Sequence, residues 1–270
     1  RPGVVMSKDP PLPIPLSIAS HIAPTDRAIT EMFAKLRTWV TPDDVAIADA
    51  PEVWRHAREI AVGFYSVWVP RAPEDWRMVR SSWAKACRSL IERNRRNIDT
   101  EQQLSQYLDA NPREYPYEQG LLAEWRHIDP TFVPNPVPHW ISDTVIDWIV
   151  NWAKKPGLIW TDRPAIGQRL ASLGLAYYGQ DGVDMRTGLR TEQHDPRVAC
   201  VLARKANDSG RNLQAWNRNL VIDIPAQGTE FEQLIGRTHR PGQTRPVHVD
   251  LLFGCIEDLT GFWRAHRLAL

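Results

Sequence analysis

The stretch Gly228-Thr-Glu-Phe-Glu-Gln-Leu-Ile-Gly-Arg-Thr-His-Arg-Pro-Gly-Gln243 decides how the chain is read. Thr229 followed three residues on by Glu232 is a capping-box signature, so a helix is predicted to start here. Pro241-Gly242 is expected to stop it, because proline has no donor and its ring clashes with the preceding turn. At 3.6 residues per turn, Phe231, Leu234 and Ile235 share one face. Gln233, Arg237 and Arg240 fall on the opposite one. Neither arginine has a carboxylate within four positions, so no pair within the helix balances them. Two cations three residues apart repel by a few tenths of a kcal/mol. Two readings follow: a solvated cationic face, or guanidinium groups aimed at a phosphate, whose geometry they match.

Upstream stands Ser209-Gly-Arg-Asn-Leu-Gln214, then an apolar run, Asn219-Leu-Val-Ile-Asp-Ile224. The order looks like motifs V and VI of superfamily-two helicases, nearest the Swi/Snf-like branch. The ending Gln233-x-x-x-Arg237-x-His239-Arg240-Pro-Gly-Gln243 is similar to that branch's motif VI. Phage-encoded DNA helicases of this type come close over most of the chain. The resemblance implies an α/β fold: a RecA-like second helicase lobe with a mainly parallel sheet, preceded by a helical insertion. It implies ATP and Mg2+ as ligands, held mainly by an N-terminal P-loop lobe outside this chain. Arg240 and Arg237 take the place of the arginine fingers, with Arg240 the finger proper. Gln233 would orient or sense the nucleotide, and Asn212 would reach it or bridge to the fingers. Gly210 would allow close backbone approach. Arg211 stands where the family usually has a small apolar residue, and the loop is open to nucleotide, DNA or both. Thr161, Arg211 and Gln214 are the candidate nucleic-acid contacts. At Thr161, a backbone contact of the family's kind and a plain strand terminus are both open.

Composition narrows the field. With 33 basic and 32 acidic residues the chain has no global basic field, so nucleic-acid binding needs a local patch. Cys87, Cys200 and Cys255 form no CxxC pair, which argues against a disulfide framework or a zinc site and for buried thiols in a reducing cytosol. No apolar run approaches the ~18 residues of a membrane helix, and no signal peptide is visible. The expected place is therefore the cytoplasm, the host's if the gene is phage-borne. The chain opens on Arg1, not methionine, so a piece of a longer protein is expected.

Residues 1–42 read as a proline-rich linker and a short helix capped at Thr25-Asp26, with Ile29, Phe33 and Leu36 inward. Residues 43–120 read as the helical insertion. Trp54, Arg58, Ala61, Tyr65 and Trp68 form one helical stripe there. A second helix runs from Glu74 to about Asn97, with Trp76, Val79, Trp83, Ala86 and Leu90 inward. Its basic end, Lys85, Arg88, Arg93, Arg95 and Arg96, is either a solvated terminus or a phosphate contact. Residues 121–270 read as the lobe, with strands at 157–161, 175–178, 198–203, 220–224 and 247–253 and helices at 164–173, 229–240 and 256–268. Strands alternating with helices argue for a parallel sheet, whose ligands sit beyond the carboxyl ends of its strands.

Neither GxxxxGK[ST] nor an Asp-Glu-x-His box occurs, so the phosphate cradle is expected elsewhere. His239 is read as packing beside the arginines; His127, His139 and His194 show no metal-ligand spacing. The function implied is the C-terminal part of an ATP-dependent DNA helicase or translocase, inactive alone. Its partners would be double-stranded or branched DNA and the N-terminal lobe. A non-catalytic nucleic-acid-binding module and an RNA helicase are the alternatives.

Overall fold

A computed structural model describes residues 14–93, 98–207, 211–225, 227–256, 258–260 and 262–263. The chain divides into two compact units, Arg1–Ile22 with Trp148–Leu270, and Ala23–Asp147. Boundaries at 42 and 120 coincide with neither.

The first unit is built on six parallel strands: β1 (Leu16–Ile22), β4 (Leu158–Thr161), β5 (Ala176–Tyr178), β6 (Cys200–Ala203), β7 (Arg218–Val221) and β8 (Val247–Phe253). Their order is β1-β8-β7-β4-β6-β5, and each neighbouring pair is parallel. Central strands buried on both faces need apolar residues at every position, not at alternate ones. Leu158–Thr161 is buried throughout for that reason. The helices joining the strands include α7 (Pro164–Ser172), α8 (Arg204–Asn207) and α9 (Gly228–Ile235); α6 (Thr144–Trp152) precedes β4 and contains the division between the units at Asp147 and Trp148.

Three expectations change here. The proline-rich strap is not all linker: after Pro15, Leu16–Ile22 pairs with β8 along its whole length. Its sequence, Leu-Ser-Ile-Ala-Ser-His-Ile, contains no proline, so every N–H is available to the ladder. Strand β7 stops at Val221, because Asp223 turns in to bond the end of β4. Helix α9 ends at Ile235, five residues before Arg240, so Arg237 and Arg240 lie on a turn and not on the helical face shared with Gln233. The terminal segment is helical at 256, 258–260 and 262–263; the remainder of 256–268 lies outside the described residues.

The second unit comprises α1 (Arg27–Leu36), α2 (Ala50–Ile60), β2 (Phe64–Trp68), α3 (Glu74–Arg93), α4 (Glu101–Ala110), α5 (Pro116–Ile128) and β3 (Pro136–Trp140). Asp26 caps α1 by accepting from the Ile29 N–H at 3.0 Å. The stripe from Trp54 to Trp68 is not one helix. Gly63, at φ +93°, turns the chain out of α2, and Phe64–Trp68 pairs antiparallel with β3. The expected connector at 130–138 supplies part of that partner strand. Trp76, Trp83, Trp125 and Phe132 form the unit's core, with Trp76 and Trp125 ring centroids 5.0 Å apart. Arg80 sits among them and meets Glu52 at 3.0 Å and Glu101 at 2.8 Å. Most of the tryptophans are therefore structural, although Trp54 is exposed. At the basic end of α3, Lys85 and Arg93 are solvated. Arg88 instead lies over the Trp39 ring at 5.6 Å and donates to the Ile47 carbonyl. Arg95 and Arg96 lie outside the described residues.

Cys87 and Cys200 are buried free thiols, both pushed up in pKa by burial; Cys255 is half-exposed. Among the described residues no helix is long and apolar enough to cross a membrane.

His56 in α2 is 5% exposed, and its Nδ1 has no hydrogen-bond partner. Burial, aided by the Arg55 charge, lowers its pKa from 6.5 to about 4. The folded state disfavours the charged ring, so the unfolded chain binds more protons between those values. Stability is thus complete above about pH 6.5 and falls as pH drops towards about 4. Urea midpoints at pH 7.5 and 5 should differ clearly less in His56→Gln than in the parent; equal differences would remove His56 as the cause.

Candidate functional site

Because all six strands run one way, the sheet has a carboxyl edge and an amino edge, and each carries a polar cluster. Thr161 at the end of β4 is in register with Ala203 of β6, and Trp160 with Val221 of β7. Asp162, Arg204 and Asp223 therefore leave the sheet together at the carboxyl edge. Asp223, 2% exposed, accepts from the Thr161 hydroxyl at 2.7 Å and the Asp162 N–H at 2.8 Å, and pairs with Arg163. Arg204 reaches Asp162 at 2.6 Å and Glu230 at 2.9 Å. Burial works against the Arg204 charge, yet Asp162 and Glu230 hold its pKa above the usual value. Every cation in this cluster faces a carboxylate.

The amino edge holds the turn after α9. Thr238, fully buried, accepts from the Asn219 side chain at the start of β7 at 3.0 Å. Asn219 also accepts from the Trp160 indole at 3.1 Å. Thr238 can enter the sheet only if α9 ends before it, which is why the helix is short. His239 donates to the Ile14 carbonyl, just ahead of β1, at 2.9 Å. Gln243, 5% exposed, donates to three carbonyls: Gln214 at 3.1 Å, Trp216 at 3.0 Å and Thr238 at 3.1 Å. The turn closes at Gly242, at φ +98°, where a Cβ would press on the Gln214 side-chain amide at 3.1 Å. The turn thus lies against residues that precede β1, β7 and β8. This corrects the expectation that the arginines stand beyond the carboxyl ends of strands: α9 runs back across the sheet before they occur.

Arg237 and Arg240 are half-buried, and among the described residues neither meets a carboxylate. The Arg237 Nε is buried and has no hydrogen-bond partner among the described residues. A buried donor left unbonded costs on the order of 1–3 kcal/mol. Leu213 and Arg237 are joined by a backbone hydrogen bond of 3.2 Å, so the loop and the arginine turn form one piece.

The other candidate residues divide. Gln233 is exposed on α9. Asn212 is exposed, and its side chain accepts from the Gln214 N–H at 3.3 Å. Gly210 lies outside the described residues. The three candidate nucleic-acid contacts are all committed internally. Thr161 is 1% exposed, with its hydroxyl given to Asp223. Arg211 pairs with Glu192 at 2.9 Å. Gln214 donates to the Pro241 carbonyl. Nor do they converge, since Thr161 is at the carboxyl edge and Gln214 at the amino edge. The length of β4 between those edges is about 10 Å at ~3.3 Å per residue.

Asp223, Asn219, Thr238 and the grip of Gln243 escape a reading by motif alone. One signal was present: Asn219 and Asp223 are the polar positions in an otherwise apolar run, and a buried polar group must be bonded. Their partners lie on other strands and cannot be read from the run itself. His194 is packed on Trp216, ring centroids 6.3 Å apart, and shares a 3.0 Å hydrogen bond with Tyr178. Burial lowers its pKa. Among the described residues no group of His, Cys, Asp and Glu could hold a metal.

No family model matches the chain. In fold it is similar to the crystal structure of the C-terminal part of the Fun30 ATPase domain, with a TM-score of 0.50 at 15% identity. The likeness covers 93% of this chain and 89% of that one, and it defines the class: an α/β protein whose mainly parallel sheet matches a RecA-like lobe. In sequence, a stretch of 53 residues is 40% identical to the uncharacterized ATP-dependent helicase YqhH of Bacillus subtilis (strain 168). It covers 20% of this chain and 10% of that relative, so the chain matches about a tenth of the curated helicase's length.

Asp223→Ala leaves Arg163 without its carboxylate and the end of β4 without its acceptor. It should lower stability by about 3 kcal/mol, the usual effect of breaking a buried pair. The check is the urea midpoint at unchanged slope; a loss under about 0.5 kcal/mol would mean the cluster is solvated.

Proposed function

We propose that the chain is the C-terminal part of an ATP-dependent DNA helicase or translocase of the Swi/Snf-like kind, nearest the phage-encoded ones. The observation that carries this is the arginine pair. Arg163, Arg204 and Arg211 each have a carboxylate, while Arg237 and Arg240 meet none among the described residues, on a turn that is bonded on several sides. Guanidinium groups on a fixed turn, with no carboxylate among the described residues, suit an anion from outside, and a triphosphate satisfies them bidentately. The helicase relative and the lobe-like fold support the same reading.

In this reading an N-terminal lobe supplies the P-loop and the acidic residue that holds Mg2+. Arg240, with Arg237 beside it, faces the transferred phosphoryl group and offsets the charge that develops on it. Their charge is fixed before reaction, so little reorganisation is needed in the transition state. Gln233 and Asn212, both exposed, orient the nucleotide, and Gly210 lets the backbone come close. Thr161, Arg211 and Gln214 serve DNA through the backbone they hold, since their side chains are occupied. Residues 43–120 act as the helical insertion, and the whole protein works in the cytoplasm, the host's if phage-borne.

In the complete enzyme, Arg240→Ala should cut ATP turnover at least 100-fold while nucleotide and DNA affinities change little. This chain alone should show no turnover above buffer. Stimulation by DNA and not by RNA would separate the proposal from an RNA helicase. Full turnover in Arg240→Ala would refute the finger, and no turnover in the complete protein would favour a non-catalytic nucleic-acid-binding module.

A further inference from the structure

We infer that Gln243 is a positioning residue for the arginine pair, its carboxamide acting as the clamp that holds Arg240 at the site. The inference rests on the proposed ATPase reading. Gln243 belongs to no cluster that touches nucleotide in that reading, yet it is the most extensively bonded side chain on the amino edge. Its Nε2 donates to the carbonyls of Gln214, Trp216 and Thr238 at 3.0–3.1 Å. Its Oε1 accepts from the N–H groups of Thr244 and Arg245 at 3.0 and 3.1 Å. The Gln243 N–H closes the turn on the Arg240 carbonyl at 3.1 Å. The backbone N–H thus holds the Arg240 carbonyl itself, while the carboxamide Nε2 holds Thr238, two residues before it. The same amide nitrogen grips the segment after Asn212, so both loops are set by one group.

The chemistry of the carboxamide makes this specific. One nitrogen with two hydrogens serves three carbonyls that point at a common spot, while the oxygen takes the two donors on the other side. A carboxylate has nearly the same shape but no donor, so it would turn a lone pair towards three carbonyl oxygens. A thioether keeps the volume and removes both functions. The thioether adds no charge and touches no guanidinium, so a loss of turnover in Gln243→Met must pass through geometry; the carboxylate also brings a negative charge to the arginine turn, so Gln243→Glu is read only beside Gln243→Met. Displacements of about 1 Å can cost about 100-fold in rate.

The test is a double-mutant cycle in the complete enzyme, with ATP turnover normalised to nucleotide-binding sites. Gln243→Glu and Gln243→Met should each lower kcat ten- to 100-fold with little change in KM for ATP. In an Arg240→Ala background the same substitutions should have at most a small further effect, because the Arg240 guanidinium is no longer there to place and only Arg237 remains. A residue that only stabilises the fold would lower turnover by the same factor in both backgrounds, and that result would overturn the inference. Unchanged turnover in both single variants would overturn it too. If Gln243→Glu fails to fold, Gln243→Met carries the cycle. A parent enzyme without ATP turnover would overturn the functional reading and this inference with it; an active parent with additive variants would overturn the inference alone.

Discussion

A guanidinium group drawn partly out of water is costly until an anion or a set of acceptors faces it. Around this sheet that constraint is met at Arg163 by Asp223, at Arg204 by Asp162 and Glu230, and at Arg211 by Glu192. It is left open at Arg237, whose buried Nε has no partner among the described residues. Pairing at three sites ties the ends of β4, β6 and β7 and the excursion before β6 into one body. The open site is then presented by a frame whose three paired arginines are satisfied, although among the described residues the Trp216 indole and the His194 Nε2 also lack a hydrogen-bond partner.

The parallel sheet explains why the two clusters differ. At the carboxyl edge, three chains leave side by side, and their first polar residues meet one another directly. They neutralise, and the result is a structural lock. At the amino edge the chain arrives from helices and turns, so the contacts of His239 and Gln243 are side chain to backbone, while Thr238 and Asn219 bond through their side chains. Thr238, His239 and Gln243 each bond a carbonyl or an amide of another segment, and no carboxylate takes part in those contacts. Carbonyl acceptors fix geometry without cancelling charge. A turn fixed in this way can keep two arginines both rigid and uncompensated, a combination that ion pairing would have removed. The short α9 is the same fact seen from the helix: continuing it would carry Thr238 away from Asn219.

Much of this was legible along the chain. Apolar runs at 157–161, 175–178 and 198–203 announced a parallel sheet, since a strand covered on both faces needs no polar alternation. The absence of a nearby carboxylate for Arg237 and Arg240 was equally visible, because ion pairs within a turn or helix depend on neighbours in sequence. Local capping was read correctly at Asp26 but not at Thr229, which lies inside α9: the helix begins at Gly228 with no side-chain cap. Periodicity failed at Tyr65 and Trp68, where helical spacing continued past Gly63 although the backbone had turned into a strand.

The sequence by itself determined which segments are buried and which cations lack a local partner, for both follow from residue type and spacing. Only the tertiary structure decided that Leu16–Ile22 joins the sheet, that the arginine turn stands at the amino edge, and that Thr161, Arg211 and Gln214 are already bonded. The reason is physical. Each of those facts depends on a partner far away along the chain: Val247–Phe253 for β1, Asp223 for Thr161, Glu192 for Arg211 and Pro241 for Gln214. A hydrogen bond formed across such a distance leaves no trace in the spacing of either residue's neighbours.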